Sequence, residues 1–76
     1  MSTLTLFTRP DCHLCEDAKE ILAEVAPQTR LREVDIEDDL ALIQAYGVRI
    51  PVFRKENGAE LGWPFDADAL SGFLAG

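Results

Sequence analysis

Thr3-Leu4-Thr5-Leu6-Phe7-Thr8 runs through Arg9-Pro10-Asp11 into Cys12-His13-Leu14-Cys15, and this junction decides the fold. The first six residues place Leu4 and Leu6 on one side and include β-branched and aromatic side chains, which predicts a strand. Arg9-Pro10-Asp11 breaks it, and Asp11 is the expected N-cap of a helix, with Pro10 just before it. From Cys12 to Ala26 the apolar residues Leu14, Cys15, Ala18, Ile21, Leu22, Val25 and Ala26 fall at helical spacing. Glu16, Asp17, Lys19, Glu20 and Glu24 fill the opposite face, and Pro27 ends the helix. The only two cysteines of the chain therefore stand where a strand becomes a helix. A C-x-x-C in that position reads as a redox dithiol rather than a structural staple. A thiol attacks as its thiolate, and the free N–H groups and dipole of a helix N-terminus stabilise that anion.

Outward from this junction, Arg30 to Ile36 reads as a second strand. A helix between two strands in so short a stretch is a βαβ unit with parallel strands. Asp38 or Asp39 caps a short second helix, Leu40 to Tyr46, stopped by Gly47. Val48 to Arg54 leads into a third strand with Pro51 at its first residue, where a missing N–H is tolerated. Glu56-Asn57-Gly58 is a hairpin signal, so Ala59 to Gly62 forms a fourth, antiparallel strand. Asp66 caps a last helix, Ala67 to Ala75, with Leu70, Phe73 and Leu74 facing inward. The order βαβαββα predicts one α/β domain over residues 1–76, with a four-stranded mixed sheet flanked by helices.

Composition narrows the function classes. A chain of 76 residues with 47% hydrophobic content supports one small globular domain and no more. The formal charge of −7 repels phosphates, so nucleic-acid binding is not expected. No apolar run approaches the ~20 residues of a membrane span. Met1-Ser2-Thr3-Leu4-Thr5 shows neither a basic n-region nor an apolar h-region, so a cytoplasmic location is the expectation. Structural disulfides are rare there, which turns both cysteines toward catalysis or metal binding. The dense acidic run Glu33 to Asp39 reads as a solvated edge and a helix start, with an acidic docking face for a basic partner as the alternative.

Phe7-Thr8-Arg9-Pro10-Asp11-Cys12-His13-Leu14-Cys15, together with the element order, resembles the glutaredoxins, the smallest members of the thioredoxin superfamily. The resemblance covers nearly the whole chain, and it is most similar to short bacterial glutaredoxin-like proteins with a Cys-His-Leu-Cys core. It implies a thioredoxin-like fold, a basic residue ahead of the first cysteine (Arg9), and an apolar residue followed by a cis-proline opening the third strand (Ile50-Pro51). It also implies a glycine pair after the fourth strand and an acidic residue capping the last helix, matched by Gly62 and Asp66. Two departures stand out. His13-Leu14 replaces the usual Pro-Tyr between the cysteines, and Trp63 stands at the second glycine. A nest of backbone N–H groups for the γ-glutamyl part of glutathione needs small residues, so Trp63 argues against that subsite.

By this resemblance Cys12 is the candidate nucleophile and Cys15 the more buried resolving sulfur. Arg9, His13, Ile50, Pro51, Gly62 and Asp66 are the candidate substrate or glutathione contacts. Protonated His13 would favour the Cys12 thiolate; otherwise it is an exposed polar residue. Arg9 would attract a thiolate or a substrate carboxylate; otherwise it is a solvated loop residue. A cis Pro51 would set the Ile50 N–H and C=O beside the cysteines, ready to pair with an extended peptide. Trp63 and Phe65 either close the core against the last helix or shape a groove beside the dithiol, and Tyr46 is a helix-end core residue.

The leading expectation is a thiol–disulfide oxidoreductase with no bound cofactor. Glutathione would be a possible co-substrate, and the partner a disulfide-containing protein or a glutathione mixed disulfide. A thioredoxin-type donor is the alternative source of electrons. A non-catalytic binding or redox-sensing module is the second reading. Iron–sulfur binding is the third: a zinc knuckle would need a second ligand pair that the chain does not offer, whereas a cluster could be shared by a dimer through Cys12 and glutathione. No resident metal and a monomer are the default expectations.

Overall fold

The computed structural model describes residues 3–76; Met1-Ser2, part of the N-terminal stretch read above, lies outside them. Strand β1 (Thr3–Thr8) leads into helix α1 (His13–Val25), strand β2 (Arg30–Asp35), a 3-10 turn (Ile36–Asp38) and helix α2 (Leu40–Tyr46). Strands β3 (Val52–Arg54) and β4 (Glu60–Gly62) and helix α3 (Ala67–Ala75) complete the chain. The sheet order is β2-β1-β3-β4, with β2 parallel to β1 and the β1–β3 and β3–β4 pairs antiparallel.

Side-chain alternation divides the apolar residues between the two faces of this sheet. Leu4, Leu6 and Phe53 point one way and pack with Ala18 and Leu22 of α1 and Leu70 of α3. Phe7 and Val52 point the other way and pack with Ile36 and Tyr46 under α2. Phe73 and Leu74 of α3 join the first cluster as expected, and so do Trp63 and Phe65. Phe65 bridges Phe53, at 5.4 Å between ring centroids, and Trp63, at 5.0 Å edge to face. Trp63 and Phe65 thus serve the core in the way that the first of the two readings above describes.

The helix starts are set by local chemistry. The Asp39 carboxylate accepts the Ala41 N–H at 2.8 Å, and the Asp66 carboxylate accepts the Ala69 N–H at 2.8 Å. Each such cap stabilises its helix by about 1 kcal/mol. Pro27 disfavours a helical conformation at Ala26, whose φ of −152° and ψ of 66° close α1. In the β3–β4 turn Gly58 adopts a φ of +92°, where a side chain would be strained, and its N–H donates to Lys55 O at 2.9 Å.

Four boundaries differ from the sequence-based expectation. The N-cap of α1 is Cys12, not Asp11. Asp11 takes φ 60°, a left-handed turn that aspartate tolerates better than most residues, and the Cys12 Sγ that follows it accepts the Cys15 N–H. Strand β2 stops at Asp35 rather than Ile36, because the Asp35 carboxylate accepts the Glu37 N–H at 2.8 Å and starts the 3-10 turn. Strand β3 begins at Val52, just after Pro51, and β4 begins at Glu60 rather than Ala59. Ala59 belongs to the turn: its N–H donates to the Asn57 side chain at 2.9 Å, and its carbonyl accepts the Lys55 N–H at 2.9 Å.

Candidate redox site

Cys12 and Cys15 form a disulfide at the N-terminus of α1, with their Cα atoms 5.2 Å apart. The two sulfurs are unequal. Cys12 is half-buried and its Sγ accepts the Cys15 backbone N–H at 3.1 Å, whereas Cys15 is 1% exposed within the core. Cys12 is therefore the less buried of the two, and its sulfur has an amide donor aimed at it. The same N–H would hold negative charge on Cys12 once the disulfide opens, in the way that a helix N-terminus binds any anion.

The strand register gathers further residues to this end. Thr8, the last residue of β1, pairs with Asp35 on one side. On the other side the antiparallel register Phe7–Val52 and Val52–Gly62, carried one step further, sets Pro51 beside Thr8 and Trp63 beside Pro51. The Trp63 N–H donates to Pro51 O at 3.1 Å across that step. Both Ile50–Pro51 and Trp63–Pro64 are cis peptides, the second of which no residue pattern in the sequence announced.

An open cavity of about 660 Å³ adjoins Cys12 on the β2 side. Arg9, His13 and Glu16 line it together with Cys12, and so do Asp11, Glu33 and Asp35, which the sequence did not assign to the site. Arg9 reaches no sulfur: its guanidinium pairs with Glu37 at 2.8 Å, a partner from the acidic run read as a solvated edge. His13 is 89% exposed at its side chain and lies 3.8 Å from Asp17 one turn on. Lys19 bridges Glu16 at 2.7 Å and Glu33 at 3.2 Å, and the Glu16 hydrogen bond is the main cause holding its ammonium proton more tightly than usual. Among the described residues no cluster of three or more His, Cys, Asp or Glu side chains is placed to hold a metal ion.

Ile50, Pro51, Gly62 and Asp66 do not line this cavity. The Ile50 N–H already donates to Tyr46 O at 3.1 Å, so only its carbonyl is free of that bond for an incoming strand. The Asp66 carboxylate caps α3. Gly62 ends β4, where an added Cβ would come no closer than 4.0 Å to Val52, so packing alone does not demand glycine there.

Tyr46 organises the loop that leads into Pro51. Its ring stacks on Phe7 with centroids 4.2 Å apart, and its hydroxyl donates to Glu60 at 2.5 Å. Arg49 pairs with the same carboxylate at 3.2 Å and lies over the Tyr46 ring. The hydrogen bond from Tyr46 is the main reason the Glu60 carboxyl is held below its ordinary range, and the same bond raises the Tyr46 hydroxyl above its own. No short-range pattern joins these residues, so the sequence showed Tyr46 as core and Glu60 as nothing in particular.

With this geometry established, comparison with known proteins places the chain. The family model for the glutaredoxin-like domain (DUF836) matches residues 3–75. The chain is similar to the X-ray structure of target protein XcR50 from X. campestris, with 49% identity, 96% of each chain covered and a TM-score of 0.90. The solution structure of the same protein matches with 49% identity and a TM-score of 0.87, covering 96% of this chain and 92% of that one. Protein Ne2328 from Nitrosomonas europaea, solved by NMR, is 25% identical over 95% of this chain and 89% of its own, with a TM-score of 0.80. The mixed four-stranded sheet with its three helices is thus the thioredoxin-like fold that the resemblance implied. No helix among the described residues is long and apolar enough to cross a membrane.

Proposed function

The chain belongs to the glutaredoxin-like domain family, and from that membership we propose that it is a thiol–disulfide oxidoreductase, with Cys12 attacking and Cys15 resolving. The observation that carries this reading is the asymmetry of the pair: Cys12 is half-buried, lines the open cavity and receives an amide N–H on its Sγ at 3.1 Å, while Cys15 is buried one turn on.

In the reducing direction the Cys12 thiolate attacks one sulfur of a substrate disulfide. A bond forms between Cys12 and that sulfur, the substrate S–S bond breaks, and the leaving thiolate takes a proton from solvent. Cys15 then attacks Cys12 Sγ as a thiolate, having lost its proton to solvent. The Cys12–Cys15 bond forms, the mixed disulfide breaks, and the second substrate thiolate leaves and is protonated. The substrate gains two electrons and two protons, and the protein ends as its disulfide. A thiol donor of the glutathione or protein-dithiol class returns it to the dithiol by the reverse exchange.

Titration of the oxidised protein in glutathione redox buffers tests this, with mass spectrometry locating any adduct and an assay of disulfide turnover. The expected outcome is a reversible Cys12–Cys15 couple, a glutathionyl adduct confined to Cys12, and turnover of a glutathione mixed disulfide or a protein disulfide. Absence of turnover with both substrates, together with a Cys12 that ionises near the ~8.5 of a free thiol, overturns it.

A further inference from the structure

The seven lysines and arginines of this acidic chain are unevenly distributed. Arg9 and Lys19 are tied to carboxylates near the dithiol. Lys55 donates to the carbonyls of Phe73 and Gly76, at 2.8 Å each. The other four, Arg30, Arg32, Arg49 and Arg54, are exposed and gather on one half of one sheet face.

Register and alternation put them there. Arg32, Thr5, Arg54 and Glu60 form one row across all four strands, and Arg30 pairs with Thr3 two residues along. Val34 and Val52 point under α2, so Arg32 and Arg54, two residues away on the same strands, share that face, and Arg30 shares it too. Helix α2 has seven residues and covers the end of the face that holds Phe7, Val34 and Val52. Among the described residues no helix covers the arginine end. Arg49 joins at the border, where it and Tyr46 already engage Glu60. Among the described residues Arg30, Arg32 and Arg54 have no carboxylate within ion-pair distance.

We propose that this uncovered half-face is a docking surface for an acidic segment of a partner protein. Arg32 and Arg54 stand two strand spacings apart, roughly 10 Å, close to one Debye length. A short run of carboxylates fits within that span, and each guanidinium offers a planar fork matched to a carboxylate. A long polyanion would run off the patch onto the surrounding acidic surface of a chain with charge −7. The Arg32–Thr5–Arg54 row also lies three residues down the strands from the Asp35–Thr8–Pro51 end, roughly 10 Å away. A partner seated there leaves the dithiol open, and the proposal stands or falls independently of the redox reading.

The test uses a fluorescein-labelled decaglutamate peptide, a thymidine decanucleotide of similar charge, and the full chain. Saturable anisotropy with the peptide is expected, with amide NMR shifts confined to Thr3, Thr5, Arg30, Arg32 and Arg54. Arg32→Glu combined with Arg54→Glu should weaken binding by about tenfold or more. The Arg32→Gln and Arg54→Gln pair should weaken it less and reads the effect if the reversed charges disturb folding. Cys12→Ser should bind as the parent does. Absence of saturable binding, shifts mapped to another face, undiminished affinity in both double variants, or oligonucleotide binding as tight as the peptide's overturns the proposal. Sedimentation that shows the face occupied by a second copy without peptide overturns it as well.

Discussion

The two faces of the sheet are built for different ends. One carries α1 and α3 and buries Leu4, Leu6, Ala18, Leu22, Phe53 and Leu70 in a continuous apolar cluster. Among the described residues the other carries only α2, buries Phe7, Ile36, Tyr46 and Val52, and bears Arg30, Arg32 and Arg54, with Glu60 at the edge, on its remaining half. Most of the apolar burial lies on the first face, so most of the stability does too. The second face sets where the Tyr46–Pro51 loop runs, through ring stacking, two backbone hydrogen bonds to Tyr46 O and the shared Glu60 carboxylate. At the dithiol, Cys15 is buried at the start of α1, and the Phe7–Val52 register carried one step on sets Pro51 beside Thr8, the last residue of the strand that leads to Cys12. The difference teaches that a small domain can separate the packing that keeps it folded from the packing that shapes a single loop, here Tyr46–Pro51.

Substitutions on each face should break this contrast if it is wrong. Phe53→Ala removes a fully buried ring from the larger cluster and should cost about 3–5 kcal/mol in urea unfolding. The Cys12–Cys15 reduction potential of the molecules that remain folded should stay as it is. Tyr46→Phe should cost about 1 kcal/mol, because it removes one hydrogen bond and keeps the stacking. Its signature is local: the Arg49 and Ile50 amides, both bonded to Tyr46 O, should exchange faster with solvent while those of Leu6 and Phe53 do not. Equal loss of protection on both faces would erase the distinction.

The smallest effect is the pH dependence of the Tyr46–Glu60 pair. Glu60 is a quarter exposed at its side chain, and the hydrogen bond from Tyr46 holds its carboxyl below the ordinary 4.5. Its contribution is therefore present above that pH and fades as pH falls through the lower folded value. Tyr46 moves the other way, raised above 10.0 first by its bond to Glu60 and then by burial. Its contribution is full below pH 10 and is lost as pH rises through the higher folded value. The stability gap between the parent and Tyr46→Phe should thus be flat through neutrality and shrink at both extremes, as followed by urea unfolding across pH. A gap that widens at high pH contradicts the assignment.

The residues that could be read directly were those whose chemistry is local. Asp39 and Asp66 cap the helices that immediately follow them, and Cys12 and Cys15 declare themselves by spacing at a strand-to-helix junction. The Cys12 cap was not legible, because it depends on the left-handed turn at Asp11, and the preceding Pro10 gives no sign of that turn. Arg9 could be placed near the dithiol, yet its partner Glu37 comes 28 residues later on another element. Tyr46 and Glu60 are 14 residues apart with a strand and a turn between them. The arginine half-face needs the parity of three strands at once, and that parity follows from register, which no single segment contains.

Trapping the exchange intermediate tests the central claim most directly. Cys15→Ser protein, reduced and then mixed with glutathione disulfide or a disulfide-containing protein, should accumulate a one-to-one mixed disulfide on Cys12, read by intact mass and peptide mapping. Cys12→Ser should accumulate none on Cys15 over the same period. An adduct on Cys15 in the second variant at a comparable rate, or no adduct in either, would contradict the assignment of Cys12 as the attacking sulfur.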